Sequence, residues 1–386
     1  MAPTRSSRLT VLAGAILFIL IAVYLGITDG WRMTALFAVG LGAGLVLYHA
    51  AFGFTGAWRE VVLTGRGAGM RAQMLMVMLT LLVFTPLIAQ GEFLGAAVRG
   101  NVYPLNTAVV FGAFLFGIGM QLGGSCASGT LFTVGGGNTR MLVTLAAFIA
   151  GSVIGAWHWG AWQDAAGFDP ISLADSFGAT MAIAISLLLC AGVWVATTAI
   201  ERRRHGQTRN DRDQDRPYSW LRGPWPLIAG AVGLGAINIA TLVLAGRPWG
   251  ITSGFALWGS KFAATAGLDV SAWTYWQRPR YETALNESVF SNITSVMNFG
   301  IVLGALIAAG LAARFAPSWK LPLRSVLAAV IGGLLMGYGA RISFGCNIGA
   351  FFSGVASASL SGWLWFAAAF IGSIIGVRLR PHFALR

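Results

Sequence analysis

The stretch Gly117-Ile118-Gly119-Met120-Gln121-Leu122-Gly123-Gly124-Ser125-Cys126-Ala127-Ser128-Gly129-Thr130-Leu131-Phe132 returns 220 residues later. Its second form is Gly337-Tyr338-Gly339-Ala340-Arg341-Ile342-Ser343-Phe344-Gly345-Cys346-Asn347-Ile348-Gly349-Ala350-Phe351-Phe352. At that constant shift Gly117, Gly119, Cys126, Gly129 and Phe132 are identical to their partners, and Gln121 faces Arg341. Chance agreement of glycines is expected in a chain with 52 of them; a matched cysteine is not, when there are only three. Downstream, Gly151-Ser152 and Gly155 match Gly372-Ser373 and Gly376 after a slip of one residue. A weaker echo upstream sets Gly53-Phe54-Thr55 against Gly250-Ile251-Thr252.

Both copies lie among long apolar runs. The hydrophobic fraction is 56% and only 10% of residues are charged, with a mean hydropathy of +0.71. A soluble domain carries roughly 25% charged residues, so this surface is built for lipid. Runs long enough to cross a hydrocarbon core of about 30 Å fall near 10–29, 32–53, 71–90, 104–123, 140–160, 177–200, 225–246, 292–314, 324–344 and 359–379. The first has no small-residue cleavage site and reads as a retained helix rather than a signal peptide. The expected fold is an all-α polytopic membrane protein with about ten transmembrane helices.

Five spans separate the starts of the two copies, and an odd number turns the second upside down relative to the first. Two inverted repeats are a recurrent transporter architecture, with the solute site near the midplane where they meet. The chain then divides into an extra N-terminal helix (1–30), a first repeat (31–160), a linking helix with a basic loop (161–224) and an inverted second repeat (225–386). With the N-terminus in the cytoplasm, the cytoplasmic segments and helix ends hold 19 of the 26 Lys and Arg and 5 of the 13 acidic residues. That asymmetry is the positive-inside pattern. It places both termini in the cytoplasm and accounts for the net charge of +13 without nucleic acid. The loop 201–222, with Arg202, Arg203, Arg204, Asp211, Asp213 and Asp215, reads as a solvated linker between the halves or a docking site for a cytoplasmic partner.

The Cys126 and Cys346 segments are too apolar for solvated loops and too short to span. They read as re-entrant short helices entering from opposite faces and meeting near the membrane centre, where irregular backbone must line a cavity or be buried in protein. Two further short candidates are 55–65, with Trp58 and Arg59, and 250–263, with Trp258 and Lys261. Helices that begin near Ser125 and Gly345 aim free N–H groups into the protein, and such ends suit an anion. The competing reading is that the glycines only let helices pack closely. Candidate substrate contacts are Gly124, Ser125, Cys126, Gly345, Cys346 and Asn347, with Gly53, Thr55 and Thr252 from the flanking segments. Arg341 is the most membrane-embedded charge; it either snorkels to the outer interface or draws anions into the outer mouth. Cys190 reads as a packing residue. The three cysteines and four scattered histidines have no metal or disulfide spacing, and no cofactor is expected.

At these residues the chain resembles the YeeE/YedE sulfur-transport family. Gly337 to Arg341 continuing through Cys346 to Gly354 is similar to the family's second signature, and Gly117 to Thr130, with Gly135 and Asn138, to its first. Pro248 to Thr252 with Trp258-Gly259, and Phe52 to Arg59, also match, so the likeness covers about 40–379. The resemblance implies thiosulfate uptake across the inner membrane, cysteines at 126 and 346 that contact the anion in transit, and an accompanying TusA-like cytoplasmic sulfur carrier. In thiosulfate-type members a third cysteine stands where this chain has Gly53, and the YedE branch is linked to selenium metabolism. A related sulfur or selenium species is therefore an alternative substrate. Two other classes stay open: a transporter or channel for an unrelated solute, and a membrane thiol oxidoreductase using Cys126 and Cys346. Against the latter, neither cysteine has a His or Lys within five residues to activate a thiolate. The expectation is a transporter, not an enzyme.

Overall fold

A computed structural model describes residues 5–209 and 218–385; Asp211, Asp213 and Asp215 of the linker lie outside the described residues. In chain order the helices are α1 (Arg5–Thr28), α2 (Trp31–His49), α3 (Phe54–Thr64), α4 (Ala68–Gln90), α5 (Thr107–Gly123), α6 (Ala127–Gly135), α7 (Thr139–Trp157) and α8 (Leu173–Phe177). There follow α9 (Ala179–His205), α10 (Leu227–Ala245), α11 (Thr252–Thr265), α12 (Pro279–Asn286), α13 (Ile293–Leu311), α14 (Leu323–Ile342), α15 (Ser353–Ala356) and α16 (Leu360–Leu379). Ten of the described stretches are long and apolar enough to cross a membrane, and the chain is a multi-pass membrane protein. Each expected span has its helix, with ends displaced by a few residues.

Helix ends follow local chemistry. Asn106, Asn138 and Asn292 cap α5, α7 and α13, each side chain accepting from a backbone N–H in the first turn, as an N-cap should. The 161–176 segment is more than a loop. Leu105–Asn106 pairs with Gly167–Phe168, which lashes it to the start of α5.

The core is assembled by distant pairs: α5 against α16, α7 against α14, α5 against α14, α2 against α13 and α4 against α10. Four glycines decide how close two of these pairs come. A Cβ on Gly117 would sit 2.0 Å from the Ala369 carbonyl oxygen, and one on Gly372 would sit 2.1 Å from that of Phe114. On the other pair, Gly337 would strike the Phe148 oxygen at 2.2 Å and Gly151 that of Leu334 at 2.4 Å. Backbones touch where side chains are missing, which is the small-residue packing expected between membrane helices.

Helices α1 and α9 stand apart from this core. Their most apolar windows are only 11% and 17% buried, against 44–72% for the other spans. Leu9, Leu12, Ile16, Leu20 and Ile27 of α1 are exposed, as lipid-facing residues are. At its far end α9 is tied down by Glu201. This fully buried carboxylate pairs with Arg71 at 2.8 Å and Arg66 at 3.3 Å and accepts from the N–H groups of Gly67 and Arg209. A buried charge persists only when paired and fully hydrogen-bonded, and the start of the linker is thereby fastened to the start of α4.

Candidate transport pathway

After α5 the chain turns at Gly124, whose φ of 93° is left-handed, a conformation that glycine adopts without steric cost. Cys126 then takes extended backbone as the N-cap of α6. Nine residues make α6 about 13 Å long, far short of a span. A Cβ on Gly129 would lie 1.9 Å from the Ser125 hydroxyl that covers the first turn, so any side chain there would have to turn that hydroxyl away. Cys346 caps the equivalent segment, again with extended backbone, but Asn347–Phe352 forms a π-helical turn rather than an α-helix. The helix starts expected near Ser125 and Gly345 thus fall one residue later, at caps formed by the cysteines themselves. The wider turn was not visible in the sequence, since residue types alone do not separate i+4 from i+5 bonding; such turns are frequent at functional sites.

Neither cysteine uses its side chain to cap its own helix. The N–H groups of Phe54 and Gly129 lie close to Cys126 Sγ, and those of Ile348 and Gly349 close to Cys346 Sγ, without completing a capping hydrogen bond. Ser128 Oγ lies 3.4 Å from Cys126 Sγ. Phe54 is the first residue of α3, so three helix starts bear on the two thiols. Both thiols are 1% exposed, and α6 touches the Cys346 turn. Nearby polar atoms have nothing to bond: the Thr55 hydroxyl, both side-chain atoms of Asn347, and Gln121 Oε1 make no hydrogen bond among the described residues. Unsatisfied buried groups on this scale mark a site that expects a ligand or water.

On the side of Cys346 a cavity of about 100 Å³ opens, lined among others by Asn101, Arg247, Thr252, Ser253, Arg341 and Gly345. Arg341 is 5% exposed, and its Nε and Nη1 have no acceptor. Its guanidinium lies 4.8 Å from the Tyr275 ring centre, while Arg278 lies 4.7 Å from the same ring. Arg341 is held inside the protein, facing the cavity. Of the expected residues the structure gathers Thr252, Arg341 and Gly345 here, and Thr55, Cys126, Cys346 and Asn347 at the buried meeting point. Gly53 is the N-cap of α3, half-buried next to Phe54. Ser125 and Gly124 sit half-buried at the mouth of the α6 turn.

The sequence reading missed the scaffold behind these groups. Asn101 donates to the Gly349 carbonyl at 2.9 Å and Asn298 to that of Ile251 at 3.0 Å. Asn238 accepts from Trp249 N–H at 2.8 Å and donates to Ser353 Oγ at 3.1 Å. The available signal was an amide inside an apolar run, as at Gln73, Asn238 and Asn298, since polar groups in a membrane core are there for a reason. On the other side, Arg140 donates to the carbonyls of Leu122 and Gly123, and Arg380 to that of Gln121 at 2.7 Å. These arginines are committed to the end of α5; Arg341 is not.

The profile of the sulphur transport family matches residues 49–375. The chain belongs to this YeeE/YedE sulphur transport family. The family match takes in both cysteine segments, α3 and α11 and leaves out α1. Among individual relatives, the thiosulfate transporter TsuA of Spirochaeta thermophila is 30% identical over 344 residues, covering 84% of this chain and 92% of that protein. TsuA of Escherichia coli K12 is 21% identical over 331 residues, covering 83% and 87%. The probable transporter YedE of the same bacterium is 31% identical over 174 residues, which is 44% of this chain and 41% of YedE. The chain thus matches TsuA along most of its length and less than half of YedE.

Proposed function

We propose that this member of the family carries thiosulfate, or a closely related small sulfur anion, across the inner membrane through the meeting point of α3, α6, α11 and the Cys346 turn. The observation that carries the reading is the gathering of two buried thiols at the starts of separate short helical segments, among polar atoms left without partners. Helix starts favour negative charge, and a thiol is a weak donor that holds an anion loosely enough to release it. Gly124, Ser125, Gly345, Asn347, Gly53, Thr55 and Thr252 line the approach, with Arg341 drawing the anion into the cavity. The TsuA relatives, thiosulfate transporters by name, favour that anion over selenium species. The role is transport, with no chemistry on the substrate. The test is uptake of radiolabelled thiosulfate into proteoliposomes, with sulfate and selenite as competitors. Saturable uptake blocked by unlabelled thiosulfate is expected; flux no greater than in protein-free liposomes would remove the proposal.

The architecture we propose for this role is two inverted repeats, 31–160 and 225–386, with α1 added before them and α9 and the basic loop joining them across 161–224. The short helices enter from opposite faces as re-entrant pairs. Reciprocal packing supports this. Under the sequence match α5 corresponds to α14 and α7 to α16, so α5 on α16 and α14 on α7 are one interface made twice. The correspondence holds to the atom: Gly117 rests on the Ala369 oxygen as Gly337 rests on that of Phe148, and Gly372 on that of Phe114 as Gly151 on that of Leu334. Both termini lie in the cytoplasm in this arrangement, where a TusA-like carrier would receive the sulfur. Engineered cysteines at 203–209 should label only from the cytoplasmic side and those at 163–174 only from the opposite side. The reverse pattern would exchange the two vestibules.

A further inference from the structure

An interior glycine normally has one of two reasons to be glycine: a left-handed φ, or a neighbour too close for a Cβ. Gly117, Gly151, Gly337 and Gly372 have the second reason, and Gly124 has a left-handed φ. Gly53 and Gly250 have neither. A Cβ built on either would touch nothing within 4 Å. Gly53 has φ of −125°, and Gly250 is absent from the positive-φ residues, so a side chain would strain neither backbone.

Their positions match. Gly53 is the N-cap of α3, one residue before the N–H group that lies close to Cys126 Sγ. It is half-buried, although Phe52 and Phe54 on either side are buried. Gly250 lies two residues before α11, lines the cavity that holds Arg341, and sits with its Cα 3.8 Å from where a Gly349 Cβ would be. The Gly349 N–H in turn lies close to Cys346 Sγ. Gly192 also has open space around it, but it is exposed on the peripheral helix α9, where the space is the lipid phase. At Gly250 the space is the cavity that holds Arg341, and at Gly53 it lies beside the first turn of α3.

We propose that Gly53 and Gly250 set the bore of the passage on the two sides of the thiol pair, and so determine the size of anion that passes. This rests on the reading that a pathway runs between α3, α6 and α11. A side chain at either position would project into the passage rather than into packed protein. The protein should therefore fold normally with the passage narrowed.

The experiment uses the full chain in proteoliposomes. The alkylation rates of Cys126 and Cys346 are measured with iodoacetamide and with a bulky maleimide, beside thiosulfate uptake. Gly53→Val should slow maleimide attack on Cys126, relative to iodoacetamide, by at least about tenfold, equivalent to roughly 1.4 kcal/mol. Gly250→Val should do the same at Cys346. Gly53→Ala and Gly250→Ala should show the same ordering at smaller amplitude, with melting temperatures unchanged. Loss of folding in both Ala variants would show that the space is filled and overturn the proposal. So would an unaltered ratio of the two labelling rates in all four variants. Should the ratio shift as expected while the unaltered protein takes up no thiosulfate, the bore residues stand and the choice of substrate falls.

Discussion

Cys126→Ala and Cys346→Ala should each abolish most thiosulfate uptake, while Cys190→Ala transports normally. A dianion cannot be stripped of water without replacement donors, because full burial of even one unpaired charge costs tens of kcal/mol on an idealised estimate. In the proposed pathway the replacement would be the N–H groups of Phe54, Gly129, Ile348 and Gly349 that lie close to the sulfurs, together with the two thiols. Loss of a weak donor is worth about 1 kcal/mol on the general hydrogen-bond scale. Small displacements at a narrow passage cost more than the bond itself, so the flux should fall further than that figure implies. Cys190 is buried on α9, which belongs to neither cysteine segment. Protein in the membrane should be unchanged for all three variants, and thiosulfate should slow alkylation of Cys126 and Cys346 by a small maleimide. Normal uptake by both Ala variants would reduce the cysteines to packing residues.

Charge at the cavity should matter as much. Arg341→Glu is expected to lower uptake by more than about a hundredfold, and Arg341→Gln by about ten- to a hundredfold. At 4 Å and an effective dielectric near 20, two unit charges interact by about 4 kcal/mol, and a dianion doubles this. Solvent in the cavity screens part of it, and the expected factors allow for that. The companion measurement is thermal stability. Arg341 is buried without a hydrogen-bond acceptor at Nε or Nη1 among the described residues, so its charge costs the fold energy that an anion in the cavity would return. Arg341→Gln should therefore leave the melting temperature unchanged or raise it, and Arg341→Lys should recover part of the uptake. A lower melting temperature with unaltered uptake would mean that the stacking on Tyr275 is the residue's purpose.

Much of this was legible because two signals in the chain are independent of tertiary detail. Hydrocarbon thickness fixes the length of a span, so all ten could be bracketed from apolar runs alone. The repeat in the sequence singled out the cysteine segments, since Cys126 and Cys346 stand at one constant shift with their flanking glycines. The same repeat flagged Gly117, Gly151, Gly337 and Gly372, although not the carbonyls they rest on. Helices that are apolar all round carry no stripe to announce which face is buried. The pairing of α2 with α13 and of α4 with α10 therefore had no local trace. Arg341 shows the same limit: snorkelling and burial begin from one residue in one apolar run, and only the loop carrying Tyr275 and Arg278 separates them. Asn101 lies outside every span, so its bond to the Gly349 carbonyl could not be anticipated from membrane patterning.

The reciprocal packing has a consequence for how the chain is made. α5 ends at Gly123, but the helix whose carbonyl fills the gap over Gly117 is complete only at Leu379. At synthesis rates of roughly 5–20 residues per second, those 250-odd residues take about 13–50 s to emerge. Through that interval α5 waits in the bilayer with its glycine face against lipid, and α2 likewise waits for α13. Nascent helices in that state are natural clients for the insertion machinery. A ribosome stall in the second half should leave an intact, inserted first half that is open to proteolysis.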